Sequence, residues 1–264
     1  MRFLITLTSR QTGLRIPINY QYPLSAALYR IIAKGDKEYA AFLHQTGYGK
    51  GFKLFTFSQI NSPFRIEGDR LRLLSSELSF QVAFHLPRAM ETFIKGLFQS
   101  EQIEIADSRS GAGFVIKSVE TLPDPLQSFK DNEIINIRAK PLAAIVAGLQ
   151  NAHGHYDFLS PDDIRFGESL VYNWRNKIAA SYDEATAAAA VLMTEVKPAK
   201  HPYKSRLITI KYGKPEETKI RGWLNLSLHI TAEKRFVELL LNAGCGLYNA
   251  MGCGCVEVGN RISN

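Results

Sequence analysis

The apolar pattern predicts the same order of secondary-structure elements in both halves of the chain. In the first half, the alternation of Phe3, Ile5 and Leu7 predicts a half-buried strand. The helical spacing of apolar residues after Pro23 predicts a helix. Further strands and a helix that starts at Pro87 complete the order strand, helix, strand, strand, helix, strand.

The second half repeats this order after an irregular segment. Pro123 and Pro125 interrupt any regular pattern, so we place a linker at residues 123–132, between an N-terminal domain at 1–122 and a C-terminal domain at 133–264. A chain of 264 residues is long enough for two domains. The predicted fold class is therefore α+β, with two tandem ferredoxin-like (RRM-like) βαββαβ domains. Because this fold supports many functions, function must be inferred from particular residues.

Three local predictions concern the second half. A cap at Ser160–Asp162 is expected to start a long helix that ends near Ser181. Residues 219–230 read as one continuous strand. Thr231 is expected to cap a helix through Asn242.

Basic residues are concentrated in one segment. The net charge is +7, and between Lys197 and Arg221 eight basic residues stand against two acidic ones, an excess of six. Such a segment either tracks the phosphates of a nucleic acid or forms a solvated hairpin whose edge lysines oppose aggregation. The eight are Lys197, Lys200, Lys204, Arg206, Lys211, Lys214, Lys219 and Arg221.

Several functional classes find no support in the sequence. The cysteine spacing C-x7-C-x-C fits neither a disulfide framework nor a structural zinc site. His153 and His155 lie in a Gly/Asn-rich stretch that lacks metal-site spacing. No apolar run approaches the ~20 residues of a membrane span, and the alternating start of the chain indicates a strand and not a signal peptide. We expect a cytoplasmic protein with no metal, no cofactor and no membrane partner.

The most specific motif is a glycine-rich loop between an amphipathic helix and a short strand. Gly244, Gly246, Gly252 and Gly254 follow the spacing G-x-G-x5-G-x-G. Glycine permits positive φ angles and can leave backbone N–H groups uncovered, which favours an anion-binding concavity. A dinucleotide fingerprint has a different spacing and connects a strand to a following helix.

The loop, its position and the doubled element pattern resemble the repeat-processing CRISPR endoribonucleases, the Cas6 family of the RAMP (repeat-associated mysterious protein) superfamily. The resemblance covers most of the chain. One departure is that many members carry lysine or arginine in the middle of the glycine loop, whereas Leu247–Met251 here carries no positive charge. Other segments similar to the family are Met1–Leu7, Pro17–Tyr20, Gln21–Leu24, Leu28–Tyr29, Leu43–His44 and Phe52–Ser58.

The resemblance implies metal-independent cleavage of RNA. In that reaction the substrate's 2′-hydroxyl attacks the adjacent phosphorus and expels the 5′-oxygen, leaving a 2′,3′-cyclic phosphate and a 5′-hydroxyl. The family's catalytic tyrosine, histidine and lysine correspond to Tyr29, His44 and Lys53. His44 would be the general acid or base, Tyr29 would orient or assist the 2′-hydroxyl, and Lys53 would offset the phosphorane charge.

The implied partner is CRISPR repeat RNA within precursor crRNA. Other Cas proteins of an effector complex and a second copy of the chain are further candidate partners. Unpaired bases would stack on Tyr203, Tyr212, Trp223 or Tyr248, and His201 is a candidate phosphate contact. The expected RNA-binding residues are Lys50, Lys204, Arg206, Lys211, Lys219, Arg221, Gly244, Gly246, Asn249, Gly252 and Gly254.

Each catalytic candidate also has a structural interpretation. Tyr29 follows an apolar stripe and could belong to the core, and His44 could complement a helix dipole. Lys53 could be an edge charge, with Lys50 and Lys34 as the nearest substitutes. Two other functions stay open: a non-catalytic RAMP subunit that binds repeat RNA, and an unrelated tandem ferredoxin-like protein that binds a small anion.

Overall fold

The computed structural model describes residues 1–100, 102–199, 202–212 and 215–259, which form two lobes of helices and strands. Lys200, His201 and Lys214 of the basic segment lie outside the described residues. The elements of the N-terminal lobe are β1 (Arg2–Thr8), β2 (Arg15–Pro17), α1 (Gln21–Gly35), α2 (Lys37–Gln45), β3 (Phe55–Phe57), β4 (Phe64–Glu67), β5 (Arg70–Leu73), β6 (Glu77–Phe84), α3 (Pro87–Phe98), β7 (Ile103–Ala106) and β8 (Gly111–Thr121).

The central sheet of the N-terminal lobe has the strand order β3-β6-β1-β8-β7. β1 is antiparallel to both neighbours, and its alternating residues Phe3, Ile5 and Leu7 are buried in the core. α1 and α3 pack closely against each other. Gly96 permits this approach, because a Cβ there would lie 1.8 Å from the carbonyl oxygen of Ile31.

The C-terminal lobe repeats the plan with two inserted hairpins, β10–β11 and β13–β14. Its elements are β9 (Ile134–Pro141), β10 (Gly148–Gln150), β11 (Tyr156–Phe158), α4 (Arg165–Ser181), α5 (Glu184–Ala189), β12 (Met193–Pro198), β13 (Lys204–Ile210), β14 (Thr218–Leu224), β15 (Leu226–Glu233), α6 (Lys234–Ala243), a 3₁₀ helix (Asn249–Met251) and β16 (Val256–Val258).

Both lobes have the ferredoxin-like strand order. The C-terminal sheet runs β12-β15-β9-β16, and the N-terminal sheet contains β3-β6-β1-β8. In each case the second strand of the βαββαβ unit is followed by the third, the first and the fourth. The predicted α+β class with two tandem ferredoxin-like units is therefore confirmed.

Two local predictions in the second half are wrong. Residues 219–230 do not form one strand, because Asn225 has a φ of 63° and the chain changes sheet there. β14 pairs with β13, whereas β15 pairs with β12 and β9. Thr231 does not cap a helix, because it pairs with Asn136 inside β15, and α6 begins at Lys234.

The start of α4 differs from the prediction, and the predicted linker contributes to a core. α4 begins at Arg165 and not directly after Ser160–Asp162, and the carboxylate of Asp163 accepts a hydrogen bond from the Arg165 N–H at 3.0 Å. Residues 123–132 connect β8 to β9, and Leu126 within them is buried in the core of the C-terminal lobe. None of the helices in the described ranges has the length and apolar character needed to cross a membrane.

At the contact between the lobes, each lobe contributes a residue to the core of the other. Leu54, just before β3, packs in the core of the C-terminal lobe, whereas Ala250 of the glycine loop packs in the core of the N-terminal lobe. The hydroxyl of Ser25 donates to the Ala250 carbonyl at 2.6 Å, and that of Thr56 donates to the Cys253 carbonyl at 3.0 Å. These buried contacts hold the glycine loop against α1 and β3.

Candidate functional site

The three catalytic candidates lie on a segment that folds back on itself. α1 and α2 meet at Asp36, whose carboxylate caps α2 by accepting a hydrogen bond from the Tyr39 N–H at 2.9 Å. After α2 the chain reverses in a loop closed by a 2.7 Å hydrogen bond from the Tyr48 N–H to the Phe52 carbonyl. This reversal returns Lys53 to the end of α2. The reversal uses positive φ angles at Gly47, Gly49 and Gly51.

The structure brings Tyr29, His44 and Lys53 together. The rings of Tyr29 and His44 meet edge to face, with centroids 5.5 Å apart and an interplanar angle of 82°. The Nζ of Lys53 donates to the backbone carbonyl of His44 at 3.2 Å. Tyr29 also packs against Phe55 of β3, at 5.6 Å between centroids. The predicted proximity is therefore present, while the catalytic roles stay predictions.

The three side chains differ in their exposure. His44 is exposed, so its imidazole is accessible to a ligand. Tyr29 is half-buried, and burial raises the pKa of its hydroxyl above the ordinary value. Lys53 is half-buried, and desolvation lowers the pKa of its ammonium group. The site thus combines an accessible imidazole, a neutral phenol and a partly desolvated cation.

The catalytic candidates line a cavity of about 490 Å³ to which both lobes contribute. Lys50 also lines it from the N-terminal side. The other wall belongs to the C-terminal lobe and consists of Asn173 and Lys177 from α4 with residues 246–251 of the glycine loop. Asn173 is buried, and its Oδ1 has no hydrogen-bond partner among the described residues.

The glycine loop needs its glycines for tight packing. Gly246 and Gly254 have φ angles of 74° and 70°, a region that L-residues rarely adopt. A Cβ at Gly246 would lie 2.2 Å from the Val146 carbonyl oxygen, and one at Gly254 would lie 1.9 Å from the Cys245 carbonyl oxygen. The spacing of the motif therefore reflects a compact backbone.

The expectation that the glycines leave their amides uncovered is wrong for three of them. The N–H of Gly244 donates to the Leu240 carbonyl at 2.9 Å, and that of Gly252 donates to the Asn249 carbonyl at 3.0 Å. The N–H of Gly254 donates to Ala144 at 2.9 Å. Buried amides are normally paired in this way, and these three are not available to an anion.

Asn249 braces the loop and does not present a free amide to the cavity. Its Nδ2 donates to the carbonyls of Cys245 and Cys253, at 3.3 and 3.1 Å. Its Oδ1 accepts a hydrogen bond from Lys177 at 2.6 Å. Both ends of the side chain are engaged, so this geometry does not support the predicted anion contact through the Asn249 amide.

Lys177 is the site residue that sequence reasoning missed. Its side chain is buried, and its Nζ donates to the carbonyls of Gly244 and Gly246 at 2.6 and 3.1 Å as well as to Asn249. The sequence contains an indication that Lys177 is buried, because it follows Leu170 and Trp174 at the spacing of one helix face. A lysine on an apolar helix face needs acceptors, and here the glycine loop supplies them.

The hairpin formed by β13 and β14, called the basic hairpin here, lies next to the glycine loop. Its buried residues Ile208 and Ile220 pack in one cluster with Val146 and Cys253. The predicted RNA-binding residues Lys204, Lys219 and Arg221 are exposed on β13 and β14. Lys219 and Arg221 lie on the face opposite Ile208 and Ile220, and the binding of RNA by these exposed cations stays a prediction.

Arg206 and Lys211 occupy different surroundings from the rest of the hairpin. The guanidinium of Arg206 lies 5.6 Å from the centroid of the Tyr20 ring, and its Nη2 approaches the Ile18 carbonyl at 3.4 Å. Lys211 has a φ of 53° and lines a second groove, beside Arg70. Arg206 therefore contributes to the contact between the hairpin and the N-terminal lobe.

The four candidate stacking residues are not equivalent. Trp223 donates from its indole nitrogen to the Leu159 carbonyl at 2.8 Å, as a packing residue does. Tyr203 is half-buried, whereas Tyr212 has 60% of its surface exposed. Tyr248 has a φ of 58° and lines the cavity. Tyr212 and Tyr248 are the two aromatic rings best placed to meet a base.

Within the described ranges, no three His, Cys, Asp or Glu side chains are grouped so that they could hold a metal ion. His153 and His155 are exposed in the connection between β10 and β11. The free cysteines Cys245, Cys253 and Cys255 are buried. Burial raises the pKa of each of these thiols to about 12.

The repeated strand order and the cavity lined by both lobes define a tandem ferredoxin-like protein with a cleft between its lobes. The chain belongs to the Cas6 family of CRISPR-associated proteins. The family model for the N-terminal part of CRISPR-associated protein Cas6 matches residues 15–120, and the model for its C-terminal part matches residues 124–258. The resemblance that the sequence motifs indicated is confirmed.

Individual relatives are similar at low identity. CRISPR-associated endoribonuclease Cas6 1 of Methanocaldococcus jannaschii is 28% identical over 170 residues, which are 64% of this chain and 62% of that relative. CRISPR-associated endoribonuclease Cas6 of Pyrococcus furiosus is 23% identical over 277 residues, covering 100% of this chain and 92% of that relative. A solved structure of a Cas6-related protein from Pyrococcus furiosus has a TM-score of 0.78 at 19% identity, with 98% of both chains covered, and so shares the fold.

Proposed function

We propose that this chain is an endoribonuclease that binds CRISPR repeat RNA and cleaves precursor crRNA without a metal ion. The observation that carries the proposal is the convergence of Tyr29, His44 and Lys53 on one wall of the interlobe cavity. The names of the two curated relatives support an endoribonuclease activity. The 2′-oxygen forms a bond to phosphorus as the bond from phosphorus to the 5′-oxygen breaks, which gives a 2′,3′-cyclic phosphate and a 5′-hydroxyl.

His44 is the proton-transfer group of the proposal. Its exposed imidazole lies at the end of α2, where a phosphodiester entering the cavity can reach it. Imidazole exchanges protons near neutral pH, and a placed acid or base is typically worth about 10²–10⁴ in rate. His44 either removes the proton of the 2′-hydroxyl or protonates the leaving 5′-oxygen.

Lys53 compensates charge in the proposal. Its ammonium donates to the backbone carbonyl of His44 at 3.2 Å, and both residues line the same cavity. Partial burial costs this cation hydration, and an incoming phosphate restores a favourable partner. The negative charge that develops on the phosphorane oxygens strengthens this interaction in the transition state.

Tyr29 orients the reacting groups as a neutral phenol. Burial raises the pKa of its hydroxyl, so the phenolate is disfavoured at neutral pH. The hydroxyl therefore acts as a hydrogen-bond donor or acceptor and not as an anionic base. Edge-to-face packing on His44 and Phe55 fixes the ring.

RNA binding in this proposal uses the exposed cations of the hairpin and of the cavity rim. Lys204, Lys219 and Arg221 are exposed on the hairpin, and Lys50 lines the cavity. Contacts of this type release counterions, so binding should weaken steeply with salt. Association with other Cas proteins and formation of a homodimer stay predictions of the resemblance.

The central experiment is cleavage of repeat RNA in EDTA, with the product ends analysed. Wild type should cut the RNA and leave 2′,3′-cyclic phosphate and 5′-hydroxyl ends. His44→Ala should bind the RNA and cut it about 10²–10⁴ times more slowly. His153→Ala is the matched control, because it removes an exposed histidine from a loop outside the cavity.

A second substrate separates the chemistry from binding. RNA with a single 2′-deoxy nucleotide at the cleavage site keeps the phosphates but lacks the nucleophile, so it should bind and stay intact. Cleavage of that RNA would contradict attack by the 2′-hydroxyl. A mobility shift of unmodified RNA without cutting would support the non-catalytic RNA-binding subunit. If the RNA is neither shifted nor cleaved, the small-anion-binding protein is the function that remains.

A further inference from the structure

A buried ammonium group lies beneath the glycine loop. Lys177 is on α4 with 1% of its surface exposed, and its Nζ reaches the carbonyl oxygens of Gly244 and Gly246 and the side chain of Asn249. The three distances are 2.6, 3.1 and 2.6 Å. The ring of Phe52, which also lines the cavity, lies 5.9 Å from the same nitrogen.

The acceptors around Lys177 match a protonated amine. An ammonium group has three N–H donors, whereas a neutral amine has two and would turn a lone pair towards one of the oxygens. No carboxylate of the described residues forms an ion pair with Lys177, and the neighbouring titratable group is the Cys245 thiol, whose pKa burial raises to about 12. Burial lowers the pKa of Lys177 to about 7, and the three acceptors oppose this shift.

The hydrogen bonds of Lys177 reach both ends of the loop through Asn249. Lys177 binds the carbonyls of Gly244 and Gly246 at the first end, while Asn249 connects Lys177 to the Cys253 carbonyl at the second. Residues 247–251, which line the cavity, lie between Gly246 and Cys253. The loop itself carries no cation between Leu247 and Met251, so Lys177 places a positive charge behind it from another element.

We propose that Lys177 is a positioning residue for RNA cleavage, and that its ammonium fixes the glycine loop as the wall opposite Tyr29, His44 and Lys53. This rests on the proposed function. The ligand class is an RNA phosphodiester, which is held between the cations of one lobe and the braced loop of the other. Lys177 acts through the loop, because its own donors are occupied by protein oxygens.

The test compares Lys177→Met with Lys95→Met, which removes the same charge from an exposed position on α3. Hydrogen–deuterium exchange without RNA should show faster exchange at residues 244–254 in Lys177→Met than in wild type, and no change in Lys95→Met. Single-turnover cleavage at saturating repeat RNA should fall about 10- to 100-fold in Lys177→Met, as expected for misplacement of a reacting group. Lys177→Gln, which keeps two donors without the charge, should lie between wild type and Lys177→Met in both measurements.

The two measurements separate the possible failures. Unchanged loop exchange in Lys177→Met overturns the bracing role, and a loosened loop with wild-type cleavage overturns the positioning role. If wild type does not cut repeat RNA, the proposed function fails, and the exchange data still decide whether Lys177 braces the loop. If neither Lys177→Met nor Lys177→Gln folds, ¹⁵N-lysine NMR of wild type at pH 6 decides. A protected ammonium signal from Lys177 supports the proposal, and a neutral amine or a rapidly exchanging group overturns it.

Discussion

The two walls of the cavity are built in different ways. The N-terminal wall is made of side chains that lie near one another in sequence, from Tyr29 to Lys53, and its imidazole is exposed. The C-terminal wall combines α4 with a loop far along the chain, and within it Lys177 and Asn249 are hydrogen-bonded to each other and to carbonyls of the loop. In the proposed function, the N-terminal wall supplies the groups that take part in cleavage, and the C-terminal wall supplies a fixed surface.

This difference predicts that substitutions in the two walls fail in different ways. Accessible side chains that make few internal hydrogen bonds can be changed with little effect on the free energy of unfolding. Buried groups that satisfy several backbone carbonyls cannot, because their loss leaves unpaired polar atoms. Loss of activity without loss of stability should mark substitutions in the N-terminal wall, and loss of stability should mark substitutions in the C-terminal wall.

The largest expected effect on stability is that of Gly254→Ala. The new Cβ would lie 1.9 Å from the Cys245 carbonyl oxygen at a φ of 70°, so the loop must rearrange. Strain and overpacking together predict a loss of about 2–5 kcal/mol, measured by urea unfolding. The control is Gly68→Ala, which has a φ of 61° and nothing within 4 Å of the new Cβ, so only about 1 kcal/mol is expected. Equal losses would show that the glycine loop is not closely packed.

Lys53→Met tests the N-terminal wall. Removing a group that compensates transition-state charge should lower the single-turnover cleavage rate about 10²–10³-fold. Unfolding in urea should be nearly unchanged, because Lys53 is only half-buried and its recorded hydrogen bond is to the His44 carbonyl. Lys37→Met, at an exposed position on α2, is the matched control. A large loss of stability in Lys53→Met would contradict the proposed division between the walls.

The effect of pH on stability should differ between a buried histidine, His85, and an exposed one, His44. Burial at the contact between the lobes lowers the pKa of His85 to about 4, whereas His44 is exposed. Between pH 6.5 and 4 the unfolded chain binds a proton at His85 that the folded chain does not, so stability is lost as the pH falls through this window. The contribution is at most about 3 kcal/mol.

The measurement is urea unfolding at pH 7 and pH 4.5 in wild type, His85→Gln and His44→Gln. His85→Gln should lose less stability on acidification than wild type, because its side chain cannot take up the proton. His44→Gln, which changes an exposed histidine of the cavity, is the control. Identical acid sensitivity of wild type and His85→Gln would show that His85 is not a buried neutral group.

The fold was predictable because its signals are local and repeated. Alternation along β1 and helical spacing along α1 are set by burial of one face, and the same logic holds in both halves. The break at Asn225 was not predictable in this way, because the residues on either side alternate as one strand would. Only the left-handed backbone of Asn225 divides them between two sheets.

The site residues also differ in how far the sequence could predict them. Tyr29, His44 and Lys53 could be chosen from the sequence because the family resemblance assigns them within a short segment. The helical spacing of Lys177 after Leu170 and Trp174 could indicate burial, but not its partners Gly244 and Asn249, which are distant in sequence. The loop glycines were recognised correctly as a motif, but their packing role depends on contacts that spacing alone does not contain.

Tyr29→Phe is expected to have the smallest effect and to separate orientation from acid–base catalysis. Burial raises the pKa of the Tyr29 hydroxyl, so the wild-type group stays protonated and contributes through a hydrogen bond. Loss of one such bond should lower the cleavage rate about tenfold, with the shape of the pH–rate profile preserved. The edge-to-face contact with His44 remains in Tyr29→Phe, so stability should hold. A change in the shape of the profile would instead show that Tyr29 is a proton-transfer group.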